Sequence, residues 1–181
     1  MVLHEESIRL KDGRTAVLKS PTEADAAELV AYLKQSAGET DFLMAYPEER
    51  NQTAAQEAEF LRKTALSPDS AMLLCRVEGK VAGTCQIIFS SRLKIRHRAT
   101  VAVGILKEYW RLGIGTAMFR ALTAAARERG VTQLELDVME GNERAMALYE
   151  KVGFRPVAEI PNAFHLKDGT VRQEIHMILS L

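Results

Sequence analysis

V-A-V-G-I-L-K-E-Y-W-R-L-G-I-G-T-A-M, residues 101–118, and L-E-L-D-V-M-E-G-N-E-R-A-M-A-L-Y-E-K-V-G-F, residues 134–154, decide how this chain reads. The first stretch is an apolar strand, then a short basic turn, then Gly113 and Gly115 at the opening of a helix. The first amides of a helix have no partner inside it and favour negative charge. Small residues let that backbone come close to an anion. The donors expected here are the N–H groups from Arg111 through Leu112, Gly113, Ile114 and Gly115 to Thr116. The second stretch is another strand, then a helix begun by Asn142 and carrying Tyr149. Together they predict a pyrophosphate-bearing cofactor whose reactive end lies near an ionisable hydroxyl.

Outward from these segments the chain alternates strands and helices. Ile8–Leu10 and Thr15–Leu18 flank an Asp12-Gly13 turn and form a hairpin. Ser20-Pro21-Thr22-Glu23 reads as a helix start, with Ser20 capping, Pro21 in the first turn and Glu23 reaching back. That helix is expected to run to Ser36, and a second from Glu49 to Leu66. Strands follow at Ala71–Val77, Val81–Phe89 and Ala99–Leu106. The helix from Gly113 to Arg129 is apolar at Ile114, Ala117, Met118, Ala121, Leu122 and Ala125, which is a helical period. A strand at Gln133–Val138, a helix at Glu143–Val152, and strands at Pro156–Leu166 and Val171–Leu179 complete the chain. The order β-β-α-α-β-β-β-α-β-α-β-β predicts a mixed α/β fold with a largely antiparallel central sheet flanked by helices. No repeat or Gly/Ser linker divides residues 1–181, so a single domain is expected.

Composition narrows the partners. Lys plus Arg equals Asp plus Glu at 24 each, which argues against nucleic acid. The basic run Arg92–Arg98 reads as a solvated loop and strand edge. No segment approaches the roughly 20 apolar residues of a membrane span, and the first residues lack a signal-peptide pattern. A soluble, cytoplasmic protein with no membrane partner is expected. Cys75 and Cys85 belong to no metal or disulfide pattern and read as buried free thiols. His4, His97, His165 and His176 have no metal-ligand spacing, so no metal is expected. Met118 stands where a dinucleotide-binding G-x-G-x-x-G would need its third glycine, and no G-K-[ST] follows.

The two segments resemble the GNAT superfamily of acyl-CoA-dependent N-acetyltransferases. That family's Arg/Gln-x-x-Gly-x-Gly/Ala motif is matched by Trp110-Arg111-Leu112-Gly113-Ile114-Gly115, with Trp110 in the leading place and Arg111 one position later. Its second segment is matched by Asn142, Ala145, Tyr149, Gly153 and Phe154. The resemblance implies a GNAT fold and acetyl-CoA as cosubstrate, with no metal. It assigns the backbone of Val103 and Ile105 to the pantetheine arm and Asn142 to both a helix cap and the same arm. Tyr149 becomes the acid that protonates the departing thiolate, and Asp137 a candidate general base, with Glu135 on the same strand face. Glu39, Asp41, Phe42 and Tyr46, between the first two helices, would border the acceptor. Their charge suits a cationic amine of a small molecule or peptide. The implied reaction is direct N-acetyl transfer, homodimers being common in the superfamily. The alternative is a GNAT-like module that senses acyl-CoA without turnover.

Overall fold

The computed structural model describes residues 1–181 as one eight-stranded sheet with two helices on each face. The strands are β1 (Glu6–Arg9), β2 (Thr15–Lys19), β3 (Ser70–Val77), β4 (Lys80–Phe89), β5 (Arg98–Ile105), β6 (Gln133–Met139), β7 (Arg155–His165) and β8 (Val171–Ser180). The helices are α1 (Ala26–Glu39), α2 (Ala54–Leu66), α3 (Ile114–Glu128) and α4 (Glu143–Lys151). The spatial order is β1-β2-β3-β4-β5-β6-β8-β7. Every neighbouring pair is antiparallel except β5 with β6, as the short connections predict.

Register sorts the side chains by face. Thr84 opposes Gly104 and Gln86 opposes Ala102, whereas Cys85 opposes Val103 and Ile87 opposes Val101. The even-numbered set faces α1 and α2. The odd-numbered set faces α3, where an added Cβ on Gly115 would touch the Ile105 side chain. Across the parallel pair, Ala99 opposes Leu134 and Thr100 opposes Glu135. Leu134, Leu136 and Val138 therefore join the α3/α4 side, and Glu135 and Asp137 stand on the α1/α2 side. On the α3/α4 side Phe119, Tyr149 and Phe154 pack edge-on, Phe119 lying 5.6 Å from Tyr149 and 5.5 Å from Phe154.

Some boundaries differ from the expected ones. Thr22, not Ser20, caps the first helical turn, and Asp25, not Glu23, reaches back to its amide at 2.7 Å. Ser20 instead accepts from the Leu3 amide. A tight turn at Glu23–Asp25 precedes α1, which runs on to Glu39 and takes in part of the expected loop. A second capping box, Thr53 with Gln56, starts α2 at Ala54, five residues after the expected Glu49. Cys75 and Cys85 are buried free thiols, and Cys75 opposes Gly83 while Cys85 opposes Leu73. No helix is long and apolar enough to cross a membrane, and no group of His, Cys, Asp or Glu is arranged to hold a metal.

Candidate active site

The sheet divides between β5 and β6. Their parallel pairing covers only Arg98–Thr100 against Gln133–Glu135. Beyond it β5 runs on to Ile105 beside β4, and β6 runs on to Met139 beside β8. The edge of β5 from Val101 to Ile105 is thus left without a strand partner, and Val103 and Ile105 lie on it. One of its acceptors is engaged: the Trp110 indole N–H donates to the Ile105 carbonyl at 2.7 Å. The Arg144 guanidinium and the Lys107 ammonium both lie over that indole ring.

At the mouth of the division the chain turns into α3. Gly113 is the N-cap, with φ +100, and a Cβ added there would meet nothing within 4 Å. Arg111 is also left-handed at φ +64. The open space above Gly113 suits an anion on the free amides. Gly115 is glycine for another reason: a Cβ would come within 2.6 Å of Leu148 on α4, so its smallness serves helix packing. Burial and the nearby Arg111 charge lower the Arg144 pKa, and neither arginine is in an ion pair. The β1–β2 hairpin docks here, the Lys11 amide donating to the Leu112 carbonyl. Arg9, Lys11 and Lys151 line a neighbouring cavity of about 440 Å³ beside Gly113 and Thr116. Nothing in the sequence places these three cations at the turn, because the hairpin lies far away along the chain.

Tyr149 sits on α4 among Phe119 and Phe154. Burial pushes its phenol up to about 12, against the opposing pull of Arg144. It therefore stays a proton donor across neutral pH. Asn142 caps α4, its side chain accepting from the Ala145 amide at 3.3 Å. On the opposite face, Asp137 meets His176 Nδ1 at 2.6 Å across the β6–β8 ladder. His176, which has no metal-ligand spacing in the sequence, is thus paired with a carboxylate. Glu135 shares that face with Asp137, but its surroundings differ. It is buried and clasped by Arg98 and Gln133, whose bonds outweigh the effect of burial and lower its pKa.

The connection after α1 crosses toward the β7–β8 hairpin. Glu39 is engaged, accepting from the Lys107 amide at 2.7 Å and from Gln35 at 3.0 Å. Phe42 lies under Arg172 at 5.8 Å. The Tyr46 hydroxyl accepts from the Lys167 amide at 3.0 Å. Asp41 is exposed beside them. A cavity of about 410 Å³ opens beneath this connection, between α1, α2 and the even-numbered face of β4 and β5. Of the connection, Leu43, Arg50 and Gln52 line it, whereas Asp41, Phe42 and Tyr46, and Glu39 at the end of α1, do not. On α2 it also holds Glu57. A sequence signal for Glu57 existed: it takes the core-facing place in the series Glu57, Leu61, Thr64 on α2.

The chain belongs to the acetyltransferase (GNAT) family, whose family model matches residues 30–154. It is 32% identical over 98 residues to an N-alpha-acetyltransferase of Sulfurisphaera tokodaii, covering 49% of this chain and 59% of that protein. It is 34% identical over 67 residues to a ribosomal-protein alanine N-acetyltransferase of Escherichia coli, covering 37% of this chain and 45% of the other. The matches thus span less than two thirds of either relative. An acetyltransferase of the GNAT family from Streptococcus pneumoniae superposes with a TM-score of 0.85 at 29% identity, over 92% of this chain and 99% of that one. An acetyltransferase structure from Salmonella typhimurium with its cofactor acetyl-CoA shares the fold, with a TM-score of 0.78 at 18% identity over 92% and 94% of the two chains.

Proposed function

We propose that this chain, as one domain, is an acetyl-CoA-dependent N-acetyltransferase that moves the acetyl group directly to a primary amine of a small molecule or peptide. The observation that carries this reading is the division of the sheet. It leaves an unpaired strand edge, with an anion-ready helix start at its mouth, a buried phenol on one side and an acceptor cavity on the other. When bound, acetyl-CoA supplies a thioester already activated toward amines. The amides from Arg111 to Thr116 hold its pyrophosphate, with Arg144 and Lys107 beside them. The free edge at Val103 and Ile105 pairs with its amide-bearing arm, and a strand N–H there polarises the acetyl carbonyl. Tyr149 donates its proton to the departing sulfur. His176, oriented by Asp137, takes the proton that the amine must lose. Burial pushes both thiols up, Cys75 to about 12, so neither serves as a nucleophile.

Calorimetric titration of acetyl-CoA into the protein, beside the Gly113→Glu variant, tests the binding half. Micromolar affinity that the variant abolishes is the expected outcome, because a carboxylate fills the anion's place. No binding to the wild-type protein would overturn the reading. Release of free thiol in the presence of amines separates an enzyme from an acyl-CoA sensor.

A further inference from the structure

The cavity between α1, α2 and the sheet contains two opposite charges that do not satisfy each other. Glu57, on the first turn of α2, is only 6% exposed. Its pKa is raised by burial and only partly drawn back by the Arg50 charge, with no hydrogen bond contributing. Arg50 lies on the same cavity, and its Nε is buried with no hydrogen-bond partner. No ion pair joins the two. Arg50 is half-buried with only its Nε enclosed, while Glu57 is buried, and an unpaired buried charge is costly. Here each keeps free capacity toward the shared space. The rest of the wall is apolar at Leu33, Leu43, Phe60 and Met72 and polar at Gln52, Thr84 and Gln86. The cavity also reaches Val103 on the unpaired β5 edge, where the proposed function places the transfer.

We propose that this cavity selects a zwitterionic acceptor, an amino acid with an apolar side chain, with its ammonium on Glu57 and its carboxylate on Arg50. The inference rests on the acetyltransferase reading and names the acceptor class for the same site. Guanidinium matches a carboxylate in two-pronged geometry, and a buried carboxylate lacking a cation favours an ammonium. An apolar side chain fills the wall between them.

Three probes matched in shape test this: L-leucine, leucinamide and isopentylamine. Each is titrated calorimetrically and assayed with acetyl-CoA by thiol release. Leucine should exceed the other two in kcat/KM by about tenfold to a hundredfold, the worth of a hydrogen bond to a charged group. Arg50→Met should lower leucine turnover by far more than isopentylamine turnover, and so remove most of that preference. Glu57→Gln should weaken all three, with acetyl-CoA affinity unaltered. Equal rates for the three probes, or an Arg50→Met loss shared by all of them, would overturn the proposal. Leucine binding that needs Arg50, without any thiol release, would support the site while refuting the transferase reading. Acetyl-CoA binding and amine turnover with no leucine preference would do the reverse.

Discussion

Tyr149 holds a structural place in the core and, under the proposed function, a chemical one as well. Its ring packs against Phe119 and Phe154, and the same burial keeps its phenol protonated. Replacing it with Phe keeps the packing and removes only the proton. Turnover should fall by about 10²–10⁴-fold, with acetyl-CoA affinity held within about threefold. Thiol-release kinetics beside calorimetry check both numbers. A loss of affinity as large as the loss of rate would instead make Tyr149 a binding residue. Its position was legible from the Asn142…Tyr149…Gly153-Phe154 spacing. The Asp137–His176 pair was not, because 39 residues separate them and only the β6–β8 register brings them opposite. Glu57 and Arg50 escaped for a related reason: a charge looks solvated in sequence until tertiary packing encloses it.

At the scale of elements, caps and tight approaches decide the geometry. Asp25 closes the turn before α1, accepts from the Thr22 amide and binds Lys19 and Arg76. Burial would raise its carboxyl, but these bonds prevail and hold it at about 2. Its folded value thus lies below its unfolded one, so its contribution is full above about pH 4 and is lost as pH falls through about 2. Asp25→Asn should cost about 2–3 kcal/mol at neutral pH. Urea unfolding should show that difference shrinking between pH 4 and 2. Gly83 on β4 is a second such point. A Cβ there would lie 2.7 Å from the Gly104 carbonyl and 3.3 Å from the Ile105 Cα, both backbone atoms that cannot swing away. Gly83→Ala should destabilise by about 1–3 kcal/mol in chemical denaturation and weaken acetyl-CoA binding, since it pushes β5 at its unpaired edge. Most elements were legible from periodicity and turn residues. The starts of α1 and α2 were misplaced because Ser20 and Glu49 compete locally with Thr22 and Thr53, and the capping boxes that prevailed depend on which acid or amide folds back.

Over the whole molecule, the division of the sheet couples its two faces. The α3/α4 face carries the phenol, and the α1/α2 face carries the cavity lined by Arg50 and Glu57 and the Asp137–His176 pair. Trp110, the sole tryptophan, sits at the mouth of the division with its indole on the Ile105 carbonyl. An arm pairing with that edge must take this bond over. Saturating acetyl-CoA should therefore shift tryptophan emission, along the same curve that calorimetry reports. Unchanged emission at saturation would mean that the arm and the indole do not share the edge.

The order of strands and helices, the turn at Gly113, the cap at Asn142 and the family itself followed from sequence alone. Each depends on residues close together in the chain, where periodicity, backbone freedom and orphan amides act locally. Only the tertiary structure decided that β5 and β6 part after Thr100 and Glu135, that Trp110 rests on the exposed edge, and that Gly115 serves α3–α4 packing. It also decided that Glu39 is bound to the Lys107 amide while Glu57 faces the cavity. These outcomes depend on register and enclosure across distant segments, and burial, which sets the charge and partner of each such group, exists only once the chain has closed around it.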